Sequence, residues 1–124
     1  MPFTKDWEKE GVVTTFFGTV SIEEVFKADK EFYEDPRSDQ SKYQITNFSG
    51  ITAELVNDVD LQKIAAFDAG SSMNIPLLKV ALVTSDQHVK LLCQKYIDYS
   101  RPLNSVWKFT ICEDMQNARK WVSE

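Results

Sequence analysis

The chain has 124 residues, of which 43% are hydrophobic and 27% charged, with a formal net charge of −5. That length supports one sizeable core, and the composition is that of a soluble globular protein. The negative charge argues against a nucleic-acid groove, a single histidine and two distant cysteines argue against a metal centre, and the longest apolar run, "IPLLKVALV", is interrupted by Lys79 and too short to span a bilayer. The charged residues near the amino end, Lys5 to Glu10, stand where a signal peptide would need an apolar run, so a cytoplasmic protein is expected. Residues 1–60 carry 13 acids against 6 bases and residues 61–124 carry 6 acids against 8 bases. This asymmetry leaves the second half free to meet an anionic ligand or a membrane surface.

In chain order, residues 3–9 alternate as a strand with Phe3 and Trp7 on one side. Glu10-Gly11 reads as a turn, with Gly11 expected at positive φ, and "VVTTFFGTV" as a second strand paired antiparallel to the first. Ser21 and Glu24 fit a capping box, followed by a helix with Ile22, Val25, Phe26, Phe32 and Tyr33 on one stripe. Asp29 points into the middle of that stripe. The plain expectation is a helix shifted so that Asp29 reaches solvent or a backbone partner, the alternative a functional carboxylate.

Asp35-Pro36 ends the helix, "YQITNF" is a third strand, and Gly50 marks a turn after it. A second helix starts at Asn57 or Asp58, carries Leu61, Ile64 and Ala65 on one face with Phe67 well off it, and ends at Gly70. The loop "SSMNIPLL" is rich in large apolar groups. "KVALV" is a short apolar run of the kind found in buried parallel strands. Thr84 or Ser85 is expected to cap a third helix whose core face holds Val89, Leu92, Cys93 and Tyr96, with Asp86 complementing its dipole. "VWKFTI" is the last strand, and Glu113 and Asp114 open a last helix packed through Ala118, Trp121 and Val122. The order ββαβαβαβα predicts an α/β fold over residues 1–124 as one domain: a mixed sheet of about five strands, the later ones parallel, flanked by four helices.

With this element order, the segments "GVVTTFFGTVSIEEV", "ITNFSGIT", "KVALVTSD" and "ARKWV" resemble the bacterial SpoIIAA-like family, from about Trp7 to Val122. That family belongs with the STAS domains (sulfate transporter and anti-sigma-factor antagonist) and looks related to the lipid-binding CRAL-TRIO fold. The resemblance implies the same α/β architecture and a binding or regulatory role. It also implies a phosphorylatable Ser beside an Asp at the start of helix two. The corresponding stretch here, "AELVNDVD", has no hydroxyl, so the phosphoswitch of the signalling relatives is missing and no phosphorylation site is expected. Asn47 stands where the family pattern leads one to expect Asp.

Catalysis finds little support. Ser85, Asp86 and His88 crowd one helical turn and diverge by about 100° per residue, so they cannot align as a triad. Cys93 reads as a small core hydrophobe, and Cys112 beside Glu113 lacks a positive environment. The glycines are scattered and form no phosphate loop. No catalytic residue, metal or cofactor is expected. An enzyme would need the fold to gather Asp29, His88 or a cysteine from separate elements.

What remains is binding, with ordinary core filling as the alternative use of the same side chains. Leu61, Ile64, Phe67, Val89, Leu92 and Tyr96 are expected to line an apolar pocket under helix two acting as a mobile lid. Ser85 at the amino end of helix three would meet a ligand head group. Met73, Ile75, Leu77 and Leu78 would form a membrane or partner surface. The first reading is a non-enzymatic domain for an apolar or lipid-like small molecule, with transient contact at the inner face of the membrane. The alternative is a regulatory protein–protein module, acting on a protein partner or as a homodimer.

Overall fold

The computed structural model describes residues 2–104 and 106–124. Apolar alternation and β-branched runs give five strands: β1 (Phe3–Trp7), β2 (Gly11–Ser21), β3 (Tyr43–Leu55), β4 (Lys79–Val83) and β5 (Lys108–Cys112). The helices are α1 (Ile22–Glu34), α2 (Asp58–Ser71), α3 (Gln87–Ser100) and α4 (Met115–Val122). Short 3₁₀ turns, Pro36–Gln40 and Ser72–Asn74, follow α1 and α2. The order is ββαβαβαβα, and the strands form one mixed sheet in the order β1-β2-β3-β4-β5. β1 runs antiparallel to β2; every other pairing is parallel.

That sequential order decides where the helices go. Each parallel crossover steps the same way across the sheet, and right-handed crossovers stepping one way put their helices on one face. Accordingly Val80 and Leu82 of β4 pack with Phe32 of α1 and with Val89, Cys93 and Ile97 of α3. The alternate residues, Ala81 and Val83, meet Ala118, Met115 and Trp121 of α4 with Val13 and Ile45. Three helices thus cover one face and a single short helix the other. Arg119 fastens α4 across the sheet by a two-pronged bond to Glu8, 3.1 and 2.7 Å, and Tyr43 donates to the same carboxylate. Arg119 is the main reason Glu8 titrates below the usual carboxylate range.

Several local expectations change. β3 does not stop at Phe48: it runs through Gly50 to Leu55, paired along the whole of the 11-residue β2 with irregularities at Thr15/Phe17 and Gly18/Thr19. Gly18, not Gly11, takes the left-handed conformation (φ 72°). Gly11 is required by close approach instead, since a Cβ there would lie 2.4 Å from the Tyr43 carbonyl oxygen. Asp86 itself caps α3, accepting from the Val89 N–H at 3.0 Å, while Thr84 Oγ1 accepts from Asp86 N–H. Asn57 and Asp60 cap α2 reciprocally at 2.8 and 3.0 Å. Asn47 serves locally, its Oδ1 accepting from the Ser49 N–H and hydroxyl.

Candidate functional site: a cavity with a buried acid pair

The three-helix face leaves a cavity of about 110 Å³ between helices and sheet. Alternation along β3 sends Gln44, Thr46 and Phe48 to its floor, joined by Val80 and Leu82 of β4 and Phe16 of β2. The helices contribute residues spaced i, i+3 or i+4, i+7, which fall on one face. These are Ile22, Val25 and Asp29 from α1, Leu61, Ile64 and Asp68 from α2, and Val89, Leu92, Cys93 and Tyr96 from α3. Two helices therefore each place an aspartate on the cavity face.

The two aspartates meet. Asp68 is 4% exposed, and its Oδ1 and Oδ2 accept from the Tyr33 hydroxyl at 2.8 Å and the Tyr96 hydroxyl at 2.5 Å. The Asp29 carboxyl stands beside that of Asp68, close enough for each to perturb the other's ionisation. Two buried carboxyl groups so placed keep a shared proton, so the pair carries at most one charge. Burial pushes Asp29 well above the usual aspartate range, and the charge of Asp68 adds to the effect. Burial raises Asp68 too, and the bonds from Asp29, Tyr96 and Tyr33 offset only part of that rise. Asp29, pushed up further, holds its proton longer than Asp68, which accepts from the two phenols. Burial and then the Asp68 carboxylate raise both phenols, which stay neutral donors. Lys5 of β1 is the cation whose field reaches Asp29, but its Nζ donates to Thr14 Oγ1 at 3.1 Å; burial lowers its pKa while Asp29 and Glu31 raise it. This corrects the expectation that Asp29 turns to solvent or backbone. The surface it keeps faces the cavity. Chemically, the pair can hold a proton or take up a hydrogen-bond donor.

A groove of about 490 Å³ adjoins the cavity, sharing Phe48, Ile51, Glu54 and Val89 with it. Glu54 Oε1 pairs with His88 Nε2 at 2.8 Å across this groove.

The expected site residues divide. Leu61, Ile64, Val89, Leu92 and Tyr96 line the cavity. Phe67 does not: one residue before Asp68 it points about 100° away, is 37% exposed, and packs edge-on against Phe26 (5.4 Å) and Tyr33 (5.7 Å) in the α1–α2 seam. Ser85 is exposed and lines the groove, while the helix end behind it is already capped by Asp86. Met73 and Leu77 are 85% and 83% exposed, but Ile75 and Leu78 are core residues at 4% and 0%. The loop is pinned on β5, since the Ile75 carbonyl accepts from Trp107 Nε1 (2.6 Å) and the Leu78 carbonyl from Lys108 N–H (3.1 Å), which turns those side chains inward. On the adjoining α3–β5 loop, Leu103 and Val106 are exposed as well. Of the residues an enzyme would need, Asp29 and Cys93 share the cavity; His88 stays in the groove. Among the described residues no group of three or more His, Cys, Asp or Glu gathers to hold a metal, and no helix is long and apolar enough to cross a membrane. Sequence reading missed Asp68 altogether, although its spacing of four from Ile64 and seven from Leu61 marks it as inward-facing.

No protein-family model and no curated protein matches this chain. Solved structures do. The chain is similar to the Bacillus cell fate determinant SpoIIAA in its phosphorylated form, with 13% identity and a TM-score of 0.57 over 97% of this chain and 98% of that one. It is similar to the anti-sigma factor antagonist SpoIIAA in its unphosphorylated form, with 13% identity and a TM-score of 0.58 over 98% and 96%. A third likeness is to an uncharacterized protein of the DUF3478 family with a SpoIIAA-like fold from Shewanella loihica PV-4, with 10% identity and a TM-score of 0.55 over 97% and 91%. The chain has the SpoIIAA-like α/β fold.

Proposed function

We propose that this chain is a regulatory protein-interaction module that works by docking, without catalysis and in the cytoplasm. The observation that carries the reading is the apolar end of the sheet. Met73 and Leu77 on one loop and Leu103 and Val106 on the next are all exposed, and the two loops are bonded together through Trp107 and Ile75. Single exposed apolar groups are ordinary, but four on two joined loops resemble the centre of a partner surface. The end-to-end likeness to an anti-sigma factor antagonist supports the same role. The β3–α2 junction, Val56-Asn57, offers no hydroxyl, so exchange of partners here rests on something other than phosphorylation at that point. The test is affinity capture of an equimolar protein partner, followed by titration. Leu77→Asp with Leu103→Asp should abolish the complex, whereas Leu91→Asp, on the 64% exposed outer side of α3, should keep it. A complex indifferent to the loop substitutions removes the reading.

A second reading, binding of a small molecule in the cavity, is favoured by one observation. Gln44 and Thr46 are 6% and 9% exposed, line the cavity, and have no side-chain hydrogen bond among the described residues. Neither is an enclosed unsatisfied group, a place held among the described residues by Asn104 Nδ2, so their polar atoms open on the cavity, where a guest can meet them. The occupant is compact. About 110 Å³ is well under the roughly 300–1,000 Å³ of drug-sized sites and does not take a lipid acyl chain. Shifts of the Leu61, Ile64 and Leu92 methyl signals on adding 3-methylbutan-1-ol support this reading. Shifts scattered over the surface remove it.

A further inference from the structure

We infer that the cavity is a site for a small amine, a protonated nitrogen on an apolar body of four or five carbons, seated against the Asp29–Asp68 pair. The inference rests on the small-molecule reading above and adds the chemistry of the guest. The buried Asp68 carboxyl accepts from neutral donors, the phenols of Tyr33 and Tyr96, with the Asp29 carboxyl beside it. Neither aspartate has an ion-pair partner within 4 Å among the described residues, and the Lys5 ammonium donates to Thr14 instead. A buried charge without a counter-ion is the feature that a cationic guest relieves.

The hydrogen-bond inventory agrees. An ammonium offers three donors and no acceptor. In the same lining stand the Asp29 carboxyl, the Gln44 amide and the Thr46 hydroxyl, the last two without side-chain hydrogen-bond partners among the described residues and each able to accept from an ammonium. Proton balance is simple. The amine enters as the cation and the pair keeps its shared proton, so one negative charge meets one positive. Lys5 from β1 is the further cation near the pair, and Glu54, at the mouth, is already engaged by His88. A carboxylate guest would instead bring a third acid to the pair. The size follows from the volume, since an apolar cavity of about 150 Å³ accommodates benzene and this one measures about 110 Å³.

Three probes of one shape test it on the full chain by calorimetry and methyl NMR: 3-methylbutylamine, 3-methylbutan-1-ol and 3-methylbutanoate. The amine should bind at least about tenfold tighter than the alcohol, an advantage of about 1.4 kcal/mol, and the carboxylate should not enter. Asp68→Asn should bring the amine down to the level of the alcohol, whereas Asp29→Asn, which leaves the Asp68 carboxylate in place, should keep the amine ahead; the wild-type ranking alone decides if the variants fail to fold. An alcohol that binds as tightly as the amine, or a carboxylate that enters, overturns the inference and leaves the small-molecule reading standing. If no probe shifts the cavity methyls, both fall together.

Discussion

Asp29→Asn should stabilise the protein, and by an amount that grows with pH. In the unfolded chain Asp29 ionises around the ordinary 3.8, whereas in the fold burial and the neighbouring Asp68 keep its proton on to higher pH. Between those limits the folded state binds more protons than the unfolded one, so wild-type stability falls as pH rises through that window. The slope is at most about 1.4 kcal/mol per pH unit for each retained proton. An asparagine amide can still donate to Asp68 but has nothing to ionise. The variant should therefore gain roughly 2 kcal/mol on the wild type between pH 4 and pH 6. Other carboxylates, such as Glu8 and Asp58, are lowered by their partners and pull the other way, but they are common to both proteins and cancel in the difference. Urea unfolding followed by tryptophan fluorescence at each half pH unit gives the two curves. Parallel curves, or a variant less stable at every pH, would refute the shared proton.

Further expectations follow from packing and backbone geometry. Leu78→Ala should cost about 2–5 kcal/mol in chemical denaturation, while Leu77→Ala, its 83% exposed neighbour, should stay within about 0.5 kcal/mol; equal effects would contradict the placement of the loop. Gly11→Ala should lower the melting temperature sharply, by an overpacking cost of about 1–3 kcal/mol, since its Cβ meets the Tyr43 carbonyl. A silent substitution would show that the strand ends yield. Burial pushes the Cys93 thiol up to about 12, and burial with Asp114 raises Cys112 less. In native protein at pH 8 a disulfide reagent should therefore modify Cys112 slowly and Cys93 only after unfolding; early loss of Cys93 would show that the cavity opens freely.

The element order, the mixed sheet and most of the helix faces were legible because they rest on local period and capping. Leu61, Ile64, Val89, Leu92 and Tyr96 reached the cavity through that periodicity alone. Where neighbours far along the chain decide the outcome, the reading failed. Gly50 looks like a turn until β2 is seen to carry β3 through it. Ile75 and Leu78 look like loop decoration until β5 and Trp107 pin their carbonyls. Asp29 looked misplaced because its partner stands on another helix and the phenols that hold that partner on two more positions of the chain. Spacing could have marked Asp68 as inward-facing, but no local rule joins two acids across a helix seam.

The carboxyl ¹³C shifts of Asp29 and Asp68, followed from pH 3 to pH 9 in selectively labelled protein, test the shared proton without any substitution. One proton should stay on the pair far above the range where the exposed aspartates ionise, with the Asp29 signal reporting the acid and Asp68 the anion. Two signals that both move with those of the surface aspartates would contradict the buried pair and the ligand chemistry built on it.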